Sequence, residues 1–281
     1  MSRGPVVDGA TRLIGIVGHP IVQVRAPQVW NGLFRLHGLN MLCLPFHVLP
    51  ENLTAFFAGM RAVKNLMGMI VTIPHKPAAA GLLDALTPRA ALVRSVNFIA
   101  IDADGRWTGD MVDGLGFIAS LSAHGVDPRG KRTLLVGAGG VGAAIAFALA
   151  EAGVEDLVVY DVNTPRSEGL AARLAAAGHR VRTGPPDPAG FDLVVNATPL
   201  GMRPDDPLPV EAGRIAPGSV VADVIVRETE LMRRAAARGC QAIDGTGMME
   251  HQIAMMAGQL GLGDRDFSAA TARRIAAEMR G

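Results

Sequence analysis

The chain has 281 residues, enough for two cores of ordinary size, since single domains usually run to roughly 100–150 residues. Its 49% hydrophobic content, 34 glycines and 4% aromatics suit close packing of helices on sheets better than a β-sandwich. A formal net charge of +1 with no basic run longer than a pair excludes the footprint of a nucleic-acid binder, so a small-molecule partner is expected.

Cys43 and Cys240 stand alone and the seven histidines lack metal-ligand spacing, so no metal is expected and a reducing compartment is. No apolar run follows the first residues, which argues against a secretory signal or a lipid anchor and makes the cytoplasm the expected location. The longest uncharged stretch, residues 134–150, falls short of the ~20 residues of a membrane helix and is broken by glycines, so no membrane partner is expected.

In chain order, residues 13–18 form a short apolar run ended by His19-Pro20, as a parallel strand meeting a loop should. Residues 27–38 have helical spacing, and residues 41–48 make a second strand. Pro50 then opens a helical pattern that continues to residue 63. Residues 68–74 are a third apolar run stopped by Pro74, completing a βαβ rhythm. Residues 96–101 and 106–108, joined by Asp102-Ala103-Asp104-Gly105, read as a hairpin with Asp-Gly in its turn.

Residues 115–124 look helical, and Asp127-Pro128-Arg129-Gly130 looks like a linker turn. Beyond it, strands are expected at residues 133–136, 157–160, 193–196, 220–224 and 242–243, with helices between several of them. Gly184-Pro185-Pro186-Asp187-Pro188 reads as a rigid loop. The last helices, residues 248–260 and 268–279, follow the final strand and are expected to return to the first domain.

Gly137-Ala138-Gly139-Gly140-Val141-Gly142 matches GxGxxG. On its own that pattern is weak, but its surroundings strengthen it. A strand-like run precedes it, an alanine-rich helical stretch follows, and Asp161 ends the next strand 19 residues after Gly142, close to the ~20 expected of a dinucleotide fold. Glycines here permit a tight turn and close backbone approach, so a pyrophosphate can sit on free N–H groups at the positive end of a helix. A carboxylate at Asp161 can accept hydrogen bonds from both ribose hydroxyls and would repel a 2′-phosphate, which favours NAD over NADP. Arg166 could still meet a 2′-phosphate, and that keeps NADP open.

Several segments then follow in a fixed order: Gly18-His19-Pro20-Ile21, Val71-Thr72-Ile73-Pro74-His75-Lys76, Ser95-Val96-Asn97, and Gly109-Asp110-Met111-Val112-Asp113-Gly114. After the glycine loop come Asn196-Ala197-Thr198-Pro199-Leu200-Gly201-Met202 and Asp244-Gly245-Thr246-Gly247-Met248-Met249-Glu250-His251-Gln252. Together they resemble the shikimate dehydrogenase family across nearly the whole chain.

The resemblance implies an α/β fold: an N-terminal substrate domain (residues 1–114), a Rossmann doubly wound parallel sheet (residues 115–245), and C-terminal helices (residues 246–281) packing back on the first domain. It also implies reversible hydride transfer between a nicotinamide and a hydroxyl- or ketone-bearing carbon of a shikimate- or quinate-like cyclic acid, the chemistry of aromatic amino acid biosynthesis. Lys76 and Asp113 would be the acid/base pair. An ammonium beside an oxygen gaining alkoxide character stabilises it and supplies the proton, and a carboxylate orients the amine. Thr72, Asn97 and Gln252 match positions that hydrogen-bond substrate hydroxyls. Thr198 and Met202 match the nicotinamide side, and Gly245 lies with them.

Four departures concern substrate readout. The family usually carries Ser-x-Ser after GxPI, where this chain has Val24 and Ala26. Ile70 replaces an asparagine, Met111-Val112 an Asn-Thr pair, and Val226 a tyrosine. Each change removes hydrogen-bonding capacity, at about 1–3 kcal/mol for every substrate group left unpaired. Arg25, between the two replaced serines, is a candidate to take a carboxylate in a bidentate contact. Shikimate and quinate are therefore expected to be secondary substrates. A non-catalytic sensor of dinucleotide or cyclic acid is a second reading, and a methylene-tetrahydrofolate dehydrogenase-like enzyme a third. For assembly, either a monomer or a homodimer is compatible with the sequence.

Overall fold

The computed structural model describes residues 7–278; the first six residues, and Met279 at the expected end of the last helix, lie outside the described residues. Strand β1 (Arg12–Gly18) leads into helix α1 (Ala26–Leu36) and strand β2 (Met41–His47). A 3-10 turn (Pro50–Asn52) then runs into α2 (Leu53–Met60), shorter than the helical pattern to residue 63. Strand β3 (Leu66–Val71) stops before Thr72, so Thr72-Ile73-Pro74 is a turn and not the end of a strand. Four short elements come next: α3 (Lys76–Ala80), β4 (Ala85–Leu86), α4 (Pro88–Val93) and β5 (Phe98–Ile101). Strand β6 (Trp107–Asp110) pairs antiparallel with β5 across Gly105, whose φ of 79° only glycine adopts freely.

The rest of the chain opens with α5 (Asp113–Ala123) and β7 (Arg132–Val136), then α6 (Gly140–Glu151) and β8 (Asp156–Tyr160). It continues through α7 (Thr164–Ala176), β9 (Val181–Thr183), β10 (Leu193–Asn196) and β11 (Val220–Asp223). The last elements are α8 (Glu230–Ala237), β12 (Gln241–Ile243), α9 (Thr246–Gln259) and α10 (Ala269–Glu278).

The chain forms two compact units: the residues up to Val112 together with those from Gln252 onward, and Asp113–His251. The divisions fall after 112 and 251, where the sequence reading placed them after 114 and 245. The first shift has a packing reason. A Cβ on Gly114 would lie 2.2 Å from the carbonyl oxygen of Ala144, so α5 is seated directly on α6 and belongs with it. The second has a similar one: Gly247, in the first turn of α9, faces Ser120 of α5, with its Cβ position 2.3 Å from the hydroxyl oxygen. Only later turns of that helix enter the other unit's core.

In the first unit the sheet order is β2-β1-β3-β5-β6-β4. β1 pairs parallel with both β2 and β3, β5 runs antiparallel to β3 and β6, and β4 is parallel to β6. One face is closed by a cluster in which Ile14, Ile16, Trp30, Leu33 and Phe34 pack with Ile253, Met256, Leu260, Phe267 and Ile275 from the far end of the chain. Each fully buried side chain of this size contributes about 1.5–3 kcal/mol over its exposed state.

The second unit is a six-stranded sheet in the order β12-β11-β10-β7-β8-β9, every pair parallel. Read from β7, this is the doubly wound order in which the chain reverses direction across the sheet between β7 and β10. Strands buried on both faces read as continuous apolar runs such as Leu193-Val194-Val195, which accounts for their clarity in the sequence. Among the described residues no helix is long and apolar enough to cross a membrane.

Candidate active site

In the second unit the glycine turn lies between the end of β7 and the start of α6, beside the reversal point. Gly137 has φ 105°, and a Cβ there would fall 2.8 Å from the backbone of Ala197 after β10. On Gly142 it would fall 1.9 Å from the carbonyl oxygen of Gly137, so that glycine is required by the turn itself. Gly139 differs, because a Cβ on it would meet no protein atom within 4 Å. The space it leaves open faces a helix start with no side-chain cap, where first-turn N–H groups lack intrahelical partners. A pyrophosphate fits that open cradle on shape and charge. Gly140 and Val141 are the first two residues of α6.

Asp161 sits one strand over. Its Oδ2 accepts from the Ala138 N–H at 2.7 Å and its Oδ1 from the Asn163 N–H at 2.8 Å. The carboxylate is thereby locked to the glycine turn, and each oxygen keeps a further lone pair for a ribose hydroxyl. Arg166 is exposed in the first turn of α7.

At the reversal point, Thr198 donates to Asn196 Oδ1 at 2.6 Å, and its own oxygen accepts from the Leu200 N–H at 3.1 Å, closing the turn after β10. Buried Asn196 donates to Asp223 Oδ2 at 3.0 Å, as does the Thr229 hydroxyl at 2.9 Å, binding the ends of β10 and β11 together. Burial pushes the Asp223 carboxyl above its ordinary range, against the hydrogen bonds from Asn196, Ile225 and Thr229. Met202 is half exposed, and Gly245 packs so closely on Val224 that a Cβ would lie 2.2 Å from its carbonyl oxygen.

In the first unit the C-terminal ends of β1 and β3 bring several residues of the site together. A Cβ on Gly18 would lie 2.5 Å from the Thr72 methyl, and the His19 N–H donates to Ile73 O at 2.9 Å. Lys76 is half-buried at the head of α3, and its carbonyl accepts from the Val96 N–H at 3.0 Å, which aligns it with the segment holding Asn97. Buried His75 meets Val48 O through Nε2 at 2.8 Å and fixes the turn before the lysine.

Asn97 and Gln252, 155 positions apart, are adjacent in space: the Asn97 amide donates to Gln252 Oε1 at 3.0 Å, and Asn97 Oδ1 accepts from the Val112 N–H at 2.9 Å. Asp113 is buried as the first residue of α5, so the helix opens two residues before the expected 115–124. Lys76 likewise opens a helix.

Most of the substituted positions are buried or partly buried against apolar neighbours. Val24 and Ala26 pack against the apolar cluster of the first unit, and Ile70, Met111 and Val112 are buried. Val226, by contrast, is 48% exposed. Arg25 precedes α1 at its N-cap with an exposed side chain that makes no cap hydrogen bond.

Sequence reasoning missed the buried carboxylate of Asp110 at the end of β6. It accepts from Thr87 Oγ1 at 2.6 Å, from Arg89 Nε at 2.7 Å and Nη2 at 2.5 Å, from the Met111 N–H at 2.8 Å and from Gln259 Nε2 at 2.6 Å. Burial pulls this carboxyl upward, but the hydrogen bonds from Arg89 and Thr87 and the Arg89 charge outweigh it, so its pKa lies below the ordinary value. The available signal was Thr87-Pro88, a cap residue followed by proline at the first helical position, which marks α4 and places Arg89. No group of three or more potential metal ligands occurs among the described residues.

Strand order, glycine turn and neighbouring carboxylate define the class: a two-unit protein whose second unit is a dinucleotide-binding domain of the Rossmann type. Residues 16–99 match the family model described as the shikimate dehydrogenase substrate binding domain. The chain is 39% identical over 256 residues to a shikimate dehydrogenase (NADP(+)) of Rubrobacter xylanophilus, covering 88% of this chain and 90% of that one. A crystal structure of shikimate dehydrogenase from Aquifex aeolicus superposes with a TM-score of 0.88 at 28% identity, covering 96% of this chain and 99% of the other. A quinate dehydrogenase from Corynebacterium glutamicum in complex with NAD gives 0.86 at 28% identity, covering 95% and 99%. The chain belongs to the shikimate dehydrogenase family.

Proposed function

We propose that this protein is an NAD(P)-dependent oxidoreductase that interconverts a hydroxyl and a ketone on a cyclic hydroxy acid of the shikimate and quinate kind. The observation that carries this reading is the buried Asn97–Gln252 amide pair, in a unit whose other polar turn holds Thr72 and Lys76. Two buried amides, each with donor and acceptor groups, suit vicinal hydroxyls. Lys76 is the proton donor to the substrate oxygen in reduction and the acceptor in oxidation; Asp113 holds the amine oriented and charged. A bound nicotinamide supplies the hydride acceptor or donor.

Gly137, Gly139, Gly140, Val141 and Gly142 are the pyrophosphate cradle of the proposed site, with Thr198, Met202 and Gly245 bordering the nicotinamide. The fixed carboxylate of Asp161 supports NAD as the preferred coenzyme, because a 2′-phosphate there would meet a negative charge already held by two N–H groups. With hydroxyls replaced by Val24 and Ala26, we take shikimate and quinate as secondary substrates and Arg25 as the anchor of a carboxylate held differently. The protein would work as a monomer or homodimer in the cytoplasm.

The test follows absorbance of the reduced coenzyme with NAD+ and NADP+ across shikimate, quinate and a panel of other hydroxylated cyclic acids. We expect turnover with at least one panel acid, faster with NAD+ than with NADP+. Absence of coenzyme reduction with every acid would overturn the assignment. Efficient shikimate oxidation would overturn the altered substrate preference alone.

A further inference from the structure

Asp110 closes a ring of contacts that the proposed chemistry does not use directly. Gln259 donates to its Oδ2 at 2.6 Å from α9, although the Gln259 residue is itself exposed. Seven residues earlier, two turns back on the same helix face, stands Gln252. Gln252 accepts from Asn97, and Asn97 Oδ1 accepts from the N–H of Val112, two residues beyond Asp110. The Asn97 N–H donates in turn to the carbonyl of Asp110 at 2.9 Å. Starting from one buried carboxylate, the path runs through α9, both amides and the backbone, then returns to its origin.

Within the ring Asp110 is held from the other side by Arg89 and Thr87, so it cannot follow α9 if that helix shifts. We propose that the Asp110–Gln259 contact is a positioning clamp that fixes the rotation of α9 and thereby the reach of Gln252 and Asn97 toward substrate. This rests on the substrate role given above to those two amides. Gln259 is the informative member, because an exposed side chain that fills no core can be removed without opening a cavity.

The experiment compares Gln259→Leu, which deletes the donor, with Gln259→Lys, which keeps one, in the full-length protein. Amide hydrogen exchange at Val112 is read without any substrate, so it reports on the clamp even if the enzymatic assignment fails. We expect exchange at Val112 about five-fold faster in Gln259→Leu, the loss of one charge-assisted bond spread over the ring, and near the parent rate in Gln259→Lys.

Where shikimate or quinate is turned over, the substrate KM should rise about five-fold in Gln259→Leu with the KM for NAD+ unchanged. That rise should vanish in a Gln252→Ala background, since a residue acting through Gln252 has nothing left to position. Unchanged exchange at Val112 in Gln259→Leu overturns the clamp, and so does a KM effect that simply adds to that of Gln252→Ala.

Discussion

The glycine turn of the second unit and the polar cluster of the first treat hydrogen-bonding capacity in opposite ways. At the turn the chain keeps its side chains out: Gly139 leaves open space, and the helix start has no side-chain cap. Around Asn97 the side chains are engaged, Asn97 with Gln252 and with the Val112 N–H, and Asp110 with Gln259. A ligand read by backbone N–H groups places few demands on residue identity beyond glycine, whereas a ligand read by side chains can be changed one residue at a time. Three of the four departures from the family pattern, at Val24 and Ala26, at Ile70 and at Met111-Val112, fall in the first unit, and one, Val226, in the second.

The sharpest test of this contrast is Lys76→Ala, which removes the side chain proposed to react and leaves the turn intact. Turnover should fall by about 10²–10⁴ while the Kd for NADH, measured by fluorescence, stays near the parent value. A large loss of NADH affinity would show that the two regions are not separable in this way.

The reverse experiment is Gly142→Ala. Its methyl would enter the carbonyl of Gly137, so we expect NADH binding to be lost and thermal unfolding to show a cost of about 1–3 kcal/mol. Retained NADH affinity would break the argument that the backbone carries coenzyme recognition. Asp161→Ala refines it: the ratio of kcat/KM for NAD+ over NADP+ should drop about ten-fold, the scale of one charged contact.

Stability against pH follows from the carboxylates. Asp110, Asp84 and Asp187 lie below their ordinary values through their arginine partners, and Asp266 lies down to about 2 through the hydroxyls of Thr271 and Ser268. A depressed folded-state pKa means that the unfolded chain takes up protons first, so the stabilisation is full above the ordinary carboxylate range and drains away below it toward about pH 2. Tm should therefore fall steeply on acidification. Asp110→Asn should cost about 2–3 kcal/mol at neutral pH and make that fall shallower. An unchanged slope would remove Asp110 from the account.

The smallest effect is expected at Arg94, which ends α4 with φ 54°, a conformation costly for any side chain. Arg94→Gly should raise stability by about 0.5–1 kcal/mol in chemical denaturation.

How much of this was legible in the sequence differed between the units for physical reasons. A parallel sheet buried on both faces writes itself as apolar runs, and the strands at β7, β8, β10 and β11 were placed to within a residue. The first unit hides more, because β4 has two residues and α3 five, too few for any period to show. For the site, the motifs named Thr72, Lys76, Asn97, Asp113 and Gln252 as candidates, and the structure brings Asn97 and Gln252 into contact. They could not reveal that the two amides touch each other or that Asp110 is the buried anchor. Those facts depend on a contact between residues 97 and 252 that only tertiary packing creates.

The return of α9 and α10 to the first unit has a consequence for biosynthesis. Trp30, Leu33 and Phe34 are made before the Asp113–His251 segment, yet their partners Met256, Leu260, Phe267 and Ile275 are made only after it. The inserted Asp113–His251 segment is contiguous and can mature while the polypeptide is still being extended; the flanking body must wait with an unfinished apolar face. A nascent chain stalled just after residue 251 has cleared the ribosome would thus carry one finished unit and one with an open apolar face, the kind of client that chaperones hold.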